Sequence, residues 1–218
     1  MSESIRGPEP VYVDSRGAVS VRFYGKGLPR GPEAALAEHL PPSTRLAWAE
    51  QIHSADVVRA EGGCAGPGDA LITDRTGLAL AVVTADCVPV LVVAGEEIAA
   101  IHAGWRGVVA RVVPATLDRC NRIPEVAWIG PAISGAAYEV GPDVAAKVVG
   151  VSNTSVVSQP PGARPRVDLA QAVRIQLEEA GVRDIRVVDR CTFSNDALWS
   201  YRRDGSAAGR NYSVIWRT

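Results

Sequence analysis

The segment TADCVPVLVVAGEEIAAIHAGWRG, residues 84–107, contains the two runs that decide the fold. VPVLVVA (88–94) and EIAAIHA (97–103) are short, almost continuously apolar and rich in β-branched residues, which is typical of strands covered on both faces. The preceding run LALAVVT (78–84) has the same character. Cys87 stands where one predicted strand begins and His102 where the next one ends. The sequence therefore places two reactive side chains at the ends of neighbouring buried strands.

Composition narrows the class of protein. The chain has 218 residues, of which 47% are hydrophobic, and this is enough for one compact core. Its net charge of −1 gives no global basic field that would attract nucleic acid or an anionic membrane. The N-terminal MSESIRGPEPVYVDS lacks a signal-peptide pattern, and Asp86 and Pro89 interrupt the longest apolar run, so we expect a cytoplasmic protein without membrane spans. The four cysteines form no C-x-x-C pair, which argues against a zinc ribbon or a disulfide scaffold.

The rest of the chain supplies further strands and helices. Residues 10–25 predict a β-hairpin, and the other predicted strands are 45–51, 55–61, 69–74, 126–131, 185–191 and 210–217. Helices are predicted at 33–40, 105–120, 142–149 and 167–182. In the last of these, Asp168 can cap the N-terminus and Gly181 can end the helix. Residues 152–166 are expected to form an exposed loop.

A third side chain extends the pair at the strand ends. His53, in EQIHSADVV, lies in a connection between two predicted strands. Together with Cys87 and His102 it could form an open three-ligand zinc site. The residues alone leave an ordinary alternative open, because a buried cysteine is often a small hydrophobe and a single histidine is often only a hydrogen-bonding group.

Six strings carry a family resemblance, namely QIHSADVV, DALITD, TADCVPVLV, AAIHAGWRG, WIGPAISGAAYEVG and RCT…SYRRDGSAAGR. In this order they resemble the YfiH-type laccase-domain family, once labelled polyphenol oxidases and now regarded as purine nucleoside phosphorylases with adenosine deaminase activity. The resemblance implies an α+β fold, a single domain of packed mixed β-sheets flanked by helices. It spans most of the chain, so we expect residues 1–218 to form one catalytic domain.

The resemblance also implies roles for individual residues. His53, Cys87 and His102 would bind one zinc ion, and Asp86, beside Cys87, could take or give a proton. A turn or cap residue is the alternative for Asp86. Phosphorolysis needs the phosphate held against the sugar, a task that suits arginine. The expected substrate-binding residues are Arg45, Gln51, Arg106, Tyr138, Arg202, Arg203 and Arg210, and the expected partners are a purine nucleoside and inorganic phosphate.

Counting histidines argues against copper oxidase chemistry. Such an enzyme needs a blue-copper centre and a histidine-rich copper cluster. The chain has three histidines, and His39 is the only one outside the predicted zinc site. Copper is therefore disfavoured as the cofactor.

The chain also departs from the family pattern. Residues 22–35 lack the usual R-x-G-G-V-S loop and Asn-Leu-Gly segment, and Ser54 stands where glycine usually follows the histidine. Two rival functions stay open at this stage. One is a metal-free amide or peptide hydrolase with Cys87 as nucleophile and His102 or His53 as its base, acting in the editing of peptidoglycan precursors. The other is a zinc-containing binding domain that has lost turnover.

Overall fold

Two mixed β-sheets with helices on their outer faces organise residues 8–218, the part of the chain that the computed structural model describes. The strands are β1 (Tyr12–Arg16), β2 (Val19–Tyr24), β3 (Arg45–Glu50), β4 (Val57–Arg59), β5 (Gly63–Pro67), β6 (Ala70–Thr73), β7 (Leu78–Thr84), β8 (Val88–Ala94), β9 (Glu97–Ala103), β10 (Val126–Ile129), β11 (Val157–Ser158), β12 (Arg166–Val167), β13 (Asp184–Val187) and β14 (Asn211–Arg217). The helices are α1 (Pro32–Leu36), α2 (Trp105–Val109), α3 (Val112–Leu117), α4 (Pro142–Val149), α5 (Leu169–Glu179) and α6 (Tyr201–Asp204), with short 3₁₀ turns at Ala37–His39, Thr154–Val156 and Gly205–Ala207.

Each large sheet has six strands. The first sheet has the order β1-β2-β14-β7-β3-β5, and the second has the order β13-β10-β8-β9-β6-β4. Antiparallel pairs predominate, while β3 runs parallel to β5 and β7, β4 to β6, and β10 to β13. A two-stranded ribbon of β11 and β12 lies apart from both. This arrangement confirms the predicted α+β fold of packed mixed sheets.

The alternation of side chains along each strand builds three apolar layers. On β7, Leu78, Leu80 and Val82 point into the space between the two sheets, whereas Ala79 and Ala81 face α1. Strand β8 divides in the same way, because one set of its residues packs between the sheets and the alternate set packs under α2, α3 and α5. Both faces of the central strands are thus covered, which explains their near-continuous apolar sequences.

Most of the predicted elements are confirmed, including the hairpin of β1 and β2, the strands β7, β8 and β9, and helix α5 with its Asp168 cap, whose side chain accepts a bond from the Gln171 amide. The prediction of one helix over 105–120 is wrong. Arg111 adopts a left-handed φ of 63° and separates α2 from α3. The break places Pro114 in the first turn of α3, where its missing N–H and its ring are tolerated.

The N-terminal residues and the lengths of the helices bear on the predicted domain range and on membrane spans. Residues 1–7, which belong to the predicted domain range 1–218 and to the segment without a signal pattern, lie outside the described residues. Within residues 8–218 the longest helix has 11 residues, and none is long and apolar enough to cross a bilayer.

The topology brings several strand ends to one end of the molecule. Val88 at the start of β8 pairs with Ala103 at the end of β9. Strand β7 ends at Thr84, from where the chain crosses from the first sheet to the second through residues 85–87. Strand β3 runs parallel to β7, so the loop after it starts at the same end. The three segments that carry His53, Cys87 and His102 therefore converge.

Candidate metal and substrate site

The structure brings His53, Cys87 and His102 together. One ligand atom from each of these residues lies within 4.8 Å of the others. The two imidazole rings meet edge to face, with their centroids 4.9 Å apart. His102 is buried and His53 is exposed, so the group forms a cluster that is open on one side. We call these three residues the His-Cys-His cluster.

The backbone around the cluster is strained or tightly packed. His53 and Asp86 have positive φ angles of 61° and 96°, a region that residues other than glycine rarely adopt. Such conformations concentrate at functional sites, where the surrounding contacts hold them. A Cβ on Gly104 would lie 3.0 Å from the His53 ring and 3.1 Å from the Cys87 sulfur. The cluster therefore occupies the space that a side chain at position 104 would need.

Asp69 is a buried carboxylate next to the cluster, and the sequence reasoning missed it. Its Oδ1 lies 2.7 Å from Nδ1 of His102 and accepts a bond from the His53 amide at 3.0 Å. Its Oδ2 accepts bonds from the Ser54 amide and hydroxyl at 2.6 and 2.9 Å. The available signal was an acidic residue at the start of the predicted strand 69–74, within the string DALITD.

The protonation equilibria of the cluster are coupled. Burial alone would raise the pKa of Cys87, but hydrogen bonds with His102 and His53 lower this pKa to about 7. Burial opposes the charged form of His102, yet its bonds to Asp69 and Cys87 raise the pKa of His102 to about 9. The environment thus favours the thiolate, which is the form of cysteine that binds metals or acts as a nucleophile.

Asp86 joins three segments beside the cluster. Its carboxylate accepts a bond from the Thr192 hydroxyl at 2.6 Å and from the backbone amide of Arg202 at 2.7 Å. Its carbonyl accepts a bond from the Ile133 amide at 3.0 Å. The side chain is thereby held in one orientation next to Cys87 and also caps the first turn of α6. The geometry is compatible with both roles considered for Asp86, so its catalytic role stays a prediction.

Tyr138 lies near the His-Cys-His cluster and contacts one of the predicted arginines. Burial raises the pKa of Tyr138 to about 12, and the charges that further affect it are those of Cys87, Arg202, Asp86 and Arg106. The Arg202 guanidinium lies over the Tyr138 ring, 5.1 Å from its centroid. Tyr138 thus contacts Arg202 directly, and the charges of Cys87, Asp86 and Arg106 lie close enough to act on its phenol.

Arg106 is a second exposed cation near the His-Cys-His cluster. Its guanidinium lies over the Trp105 ring at 4.6 Å, and the ammonium of Lys147, which the sequence analysis did not single out, lies 6.0 Å from the same ring. The edge of the site near α2 is therefore positively charged.

The side chains of the other predicted substrate-binding residues are exposed or bonded to the backbone. Arg45 is exposed at the start of β3, at the far end of that strand from the cluster. The Gln51 side chain bonds to both the amide and the carbonyl of Val83, which occupies its polar groups. Arg203 donates to four backbone carbonyls between residues 192 and 198 and pairs with Asp204. Arg210 bonds to the neighbouring carbonyls at 208 and 209.

The chain is similar to known proteins over most of its length. The family model described as multi-copper polyphenol oxidoreductase laccase matches residues 33–218. The Shigella flexneri protein named purine nucleoside phosphorylase YfiH is 39% identical over 188 residues, which cover 83% of this chain and 76% of that protein. A Deinococcus radiodurans protein named purine nucleoside phosphorylase is 42% identical over 172 residues, which cover 76% of this chain and 67% of that protein.

Solved structures show the same fold. The crystal structure of a Neisseria meningitidis protein superposes with a TM-score of 0.80 at 30% identity and covers 93% of this chain and 96% of that chain. The crystal structure of YlmD from Geobacillus stearothermophilus gives a TM-score of 0.83 at 25% identity and covers 99% of this chain and 98% of that chain.

Proposed function

The chain belongs to the YfiH-type family described as multi-copper polyphenol oxidoreductase laccase, and we propose that it is a zinc-dependent purine nucleoside phosphorylase. In this proposal the whole chain forms one catalytic domain. The observation that carries the proposal is the His-Cys-His cluster with two exposed arginines near it. The Arg202 amide bonds to Asp86, the neighbour of Cys87, and Arg106 lies in the first turn of α2, which follows His102. Relatives named purine nucleoside phosphorylases, 39% and 42% identical to this chain, support the reaction class.

The cluster fits a zinc ion by its donor chemistry. Two imidazole nitrogens and one thiolate are typical zinc ligands, and three protein ligands leave a position open for substrate. The bond between Asp69 and Nδ1 of His102 leaves Nε2 as the donor nitrogen of that ring. When bound, the zinc would supply Lewis acidity at this position. Residues His53, Cys87 and His102 would hold it.

Copper oxidase chemistry fits this chain poorly. His39 stacks against Tyr24 with ring centroids 5.0 Å apart and belongs to no metal-binding group found among the described residues. Only three histidine side chains exist to hold copper, whereas a multicopper oxidase needs a blue-copper centre and a separate cluster. We therefore propose that the laccase description names the family and not the reaction of this chain.

Phosphorolysis gives the other site residues defined tasks. A phosphate oxygen bonds to C1′ of the ribose while the bond from C1′ to the base nitrogen breaks, and the base leaves with the electron pair and takes up a proton. Arg106 and Arg202 would hold the phosphate through guanidinium hydrogen bonds. Asp86 would carry the proton, since its bonds to Thr192 and Arg202 fix its orientation.

Tyr138 has a separate task in this proposal. With a pKa of about 12, its phenol keeps its proton at neutral pH and would donate a hydrogen bond to the substrate. The bonds that Gln51 and Arg203 make to the backbone give them a supporting task, in which they hold the strand and loop that border the site.

The proposal includes a second activity of the same site, the deamination of adenosine. Water would replace the amino group at C6 of the base and ammonia would leave, with the same pocket holding the nucleoside. Adenosine turned over without phosphate would then yield inosine, whereas phosphorolysis would yield free base and ribose 1-phosphate. The two products separate the two activities in a single chromatographic assay.

A cysteine hydrolase is the second candidate, and one observation favours it. The pKa of Cys87 is lowered to about 7 by His102 and His53, an arrangement that also suits a nucleophile beside a general base. In this reaction the thiolate would attack the carbonyl carbon of an amide such as one in a peptidoglycan precursor, and the C–N bond would break as the amine leaves with a proton from the neighbouring histidine. Water would then hydrolyse the thioester to the carboxylic acid and free the Cys87 thiol. The test is amidase activity of the metal-free protein before and after alkylation of Cys87. Activity that is present before alkylation and lost when the Cys87 thioether forms would favour this candidate.

The proposal is tested by elemental analysis combined with turnover. We expect about one zinc per chain, as three-ligand catalytic sites bind, and release of free base from inosine or adenosine only when phosphate is present. Zinc without turnover of either nucleoside would contradict the enzyme and indicate a binding domain. Protein that neither contains nor takes up zinc would contradict the metal site and favour the cysteine hydrolase.

A further inference from the structure

Asp69 makes more polar contacts than any other carboxylate around the site. The residue is 1% exposed. Its side chain accepts bonds from the backbone amides of Ile52 at 3.3 Å, His53 at 3.0 Å and Ser54 at 2.6 Å, from the Ser54 hydroxyl at 2.9 Å, and lies 2.7 Å from Nδ1 of His102. A buried carboxylate with five partners is fully satisfied and therefore rigid.

Asp69 holds His102 at two points, one on the ring and one on the backbone. The Asp69 carboxylate orients Nδ1, and the Asp69 carbonyl accepts a bond from the His102 backbone amide at 2.7 Å. The ring cannot rotate without breaking the first bond, so Nε2 is kept on the side of the cluster. Carboxylates in this position also fix the tautomer of a metal-binding histidine.

The contacts with residues 52–54 fix the second histidine. His53 has a left-handed backbone with φ of 61°, which costs energy for a residue with a side chain. Three consecutive amides that point at one carboxylate hold this conformation. Ser54 strengthens the turn, because its hydroxyl donates to Asp69 and accepts from the Asp56 amide at 3.0 Å.

We propose that Asp69 is the positioning residue of the site, which holds His53 and His102 in place for a metal ion, and that the Ser54 hydroxyl supports it. This inference rests on the proposed function. Asp69 is buried and bonded to residues 52–54 and His102, so it acts through the two histidines. Its carboxylate bonds to the segments of His53 and His102 at once.

Zinc affinity of the purified full-length protein tests this role without any measurement of turnover. Competition with a chromophoric chelator gives the dissociation constant for the wild type, Asp69→Asn and Ser54→Ala. In Asp69→Asn the side-chain NH₂ group replaces one acceptor oxygen and faces groups that donate hydrogen bonds to Asp69 in the wild type. We therefore expect this variant to bind zinc about 10- to 100-fold more weakly. Ser54→Ala removes one of five bonds, and we expect a smaller loss in the same direction.

Glu97→Gln is the matched control. Glu97 is also a buried carboxylate, 2% exposed, and it lies on β9 at the opposite end from His102. It accepts bonds from Arg59 and from the Asn121 amide, both at 2.6 Å. Glu97→Gln should lower the melting temperature but leave zinc affinity unchanged. Equal zinc affinity in the wild type, Asp69→Asn and Ser54→Ala would overturn the proposal, and if Asp69→Asn does not fold, Ser54→Ala alone decides.

A second readout separates this inference from the metal proposal. Amide hydrogen exchange in the metal-free protein should be slow at His53 and Ser54 in the wild type and faster in Asp69→Asn, with exchange in the core strands unchanged. If the wild type binds no zinc, the proposed metal site fails. Faster exchange at these amides in Asp69→Asn would then still support the positioning of the His53 turn, and unchanged exchange would overturn it.

Discussion

Asp14 links the two sheets at one edge of the molecule, and its substitution by Asn should have a measurable, pH-dependent effect on stability. Asp14 lies on β1 of the first sheet, and its Oδ2 accepts bonds from Trp128 on β10 at 2.8 Å and from Arg186 on β13 at 2.7 Å, both in the second sheet. The indole of Trp128 is buried between the sheets. Asp14→Asn removes the charge but keeps the shape of the side chain.

The size of the effect follows from the pKa of Asp14. Burial opposes ionisation, but the bonds from Trp128 and Arg186 lower the pKa of Asp14 from 3.8 to about 2. At 1.36 kcal/mol per pKa unit this corresponds to about 2 kcal/mol. The Asp14 side chain is 25% exposed, so solvent screening reduces the value, and we expect Asp14→Asn to cost about 1–2 kcal/mol at neutral pH.

The sign of the pH dependence is fixed by the lowered pKa. A carboxyl group with a lower pKa in the folded state contributes its full stability above the unfolded value of 3.8, and this contribution is lost as the pH falls through about 2. The difference in unfolding free energy between the wild type and Asp14→Asn should therefore be largest at neutral pH and shrink between about pH 4 and pH 2.

Urea unfolding followed by far-ultraviolet circular dichroism measures this difference. Asp184→Asn is the matched control, because Asp184 pairs with the same guanidinium at 3.0 Å but is 40% exposed. We expect that control to cost less than about 0.5 kcal/mol. An Asp14→Asn variant as stable as the wild type at neutral pH, or a cost that does not change with pH, would refute the reasoning.

Three further predictions concern the site and the core. Gly104→Ala should weaken zinc binding with little loss of secondary structure, because its Cβ would lie 3.1 Å from the Cys87 sulfur, and a chelator titration would detect this; unchanged affinity would count against the geometry. Arg106→Ala should raise the KM for phosphate more than that for the nucleoside, as steady-state kinetics would show, and an unaltered phosphate KM would remove Arg106 from the phosphate site. Leu80→Ala should cost about 2–5 kcal/mol in urea unfolding, since Leu80 is fully buried between the sheets, and a loss below about 1 kcal/mol would contradict that packing.

The strands at the centre of the fold could be predicted because their pattern is strong and local. The runs 78–84, 88–94 and 97–103 coincide with β7, β8 and β9, and the cap and glycine of α5 mark its ends. The sequence does not reveal that β7 and β8 belong to different sheets, because both have the same apolar composition. Sheet assignment depends on pairing between strands that are distant in the chain, such as β7 with β14.

The candidate site could be predicted only in part. Family resemblance and position at strand ends suggested the three cluster members, and the fold brings them together. Asp69 escaped notice because its partners at 52–54 and 102 are distant in sequence, and the pattern around it indicated only the strand 69–74. Arg203 stays a predicted substrate-binding residue, and its bonds to backbone carbonyls, which hold the 192–198 loop, could not be read from the sequence. The residue type was visible in the sequence, but the partners were not.

Phosphate-dependent release of purine base by Cys87→Ala, compared with the wild type, shows whether the His-Cys-His cluster is needed for phosphorolysis. The matched control is Cys64→Ala, because Cys64 is an exposed cysteine on β5 outside the cluster. We expect Cys87→Ala to lose both its zinc and the release of base from inosine and adenosine, whereas Cys64→Ala keeps both. A Cys87→Ala protein that still releases base in a phosphate-dependent manner would contradict the proposed zinc-dependent phosphorylase.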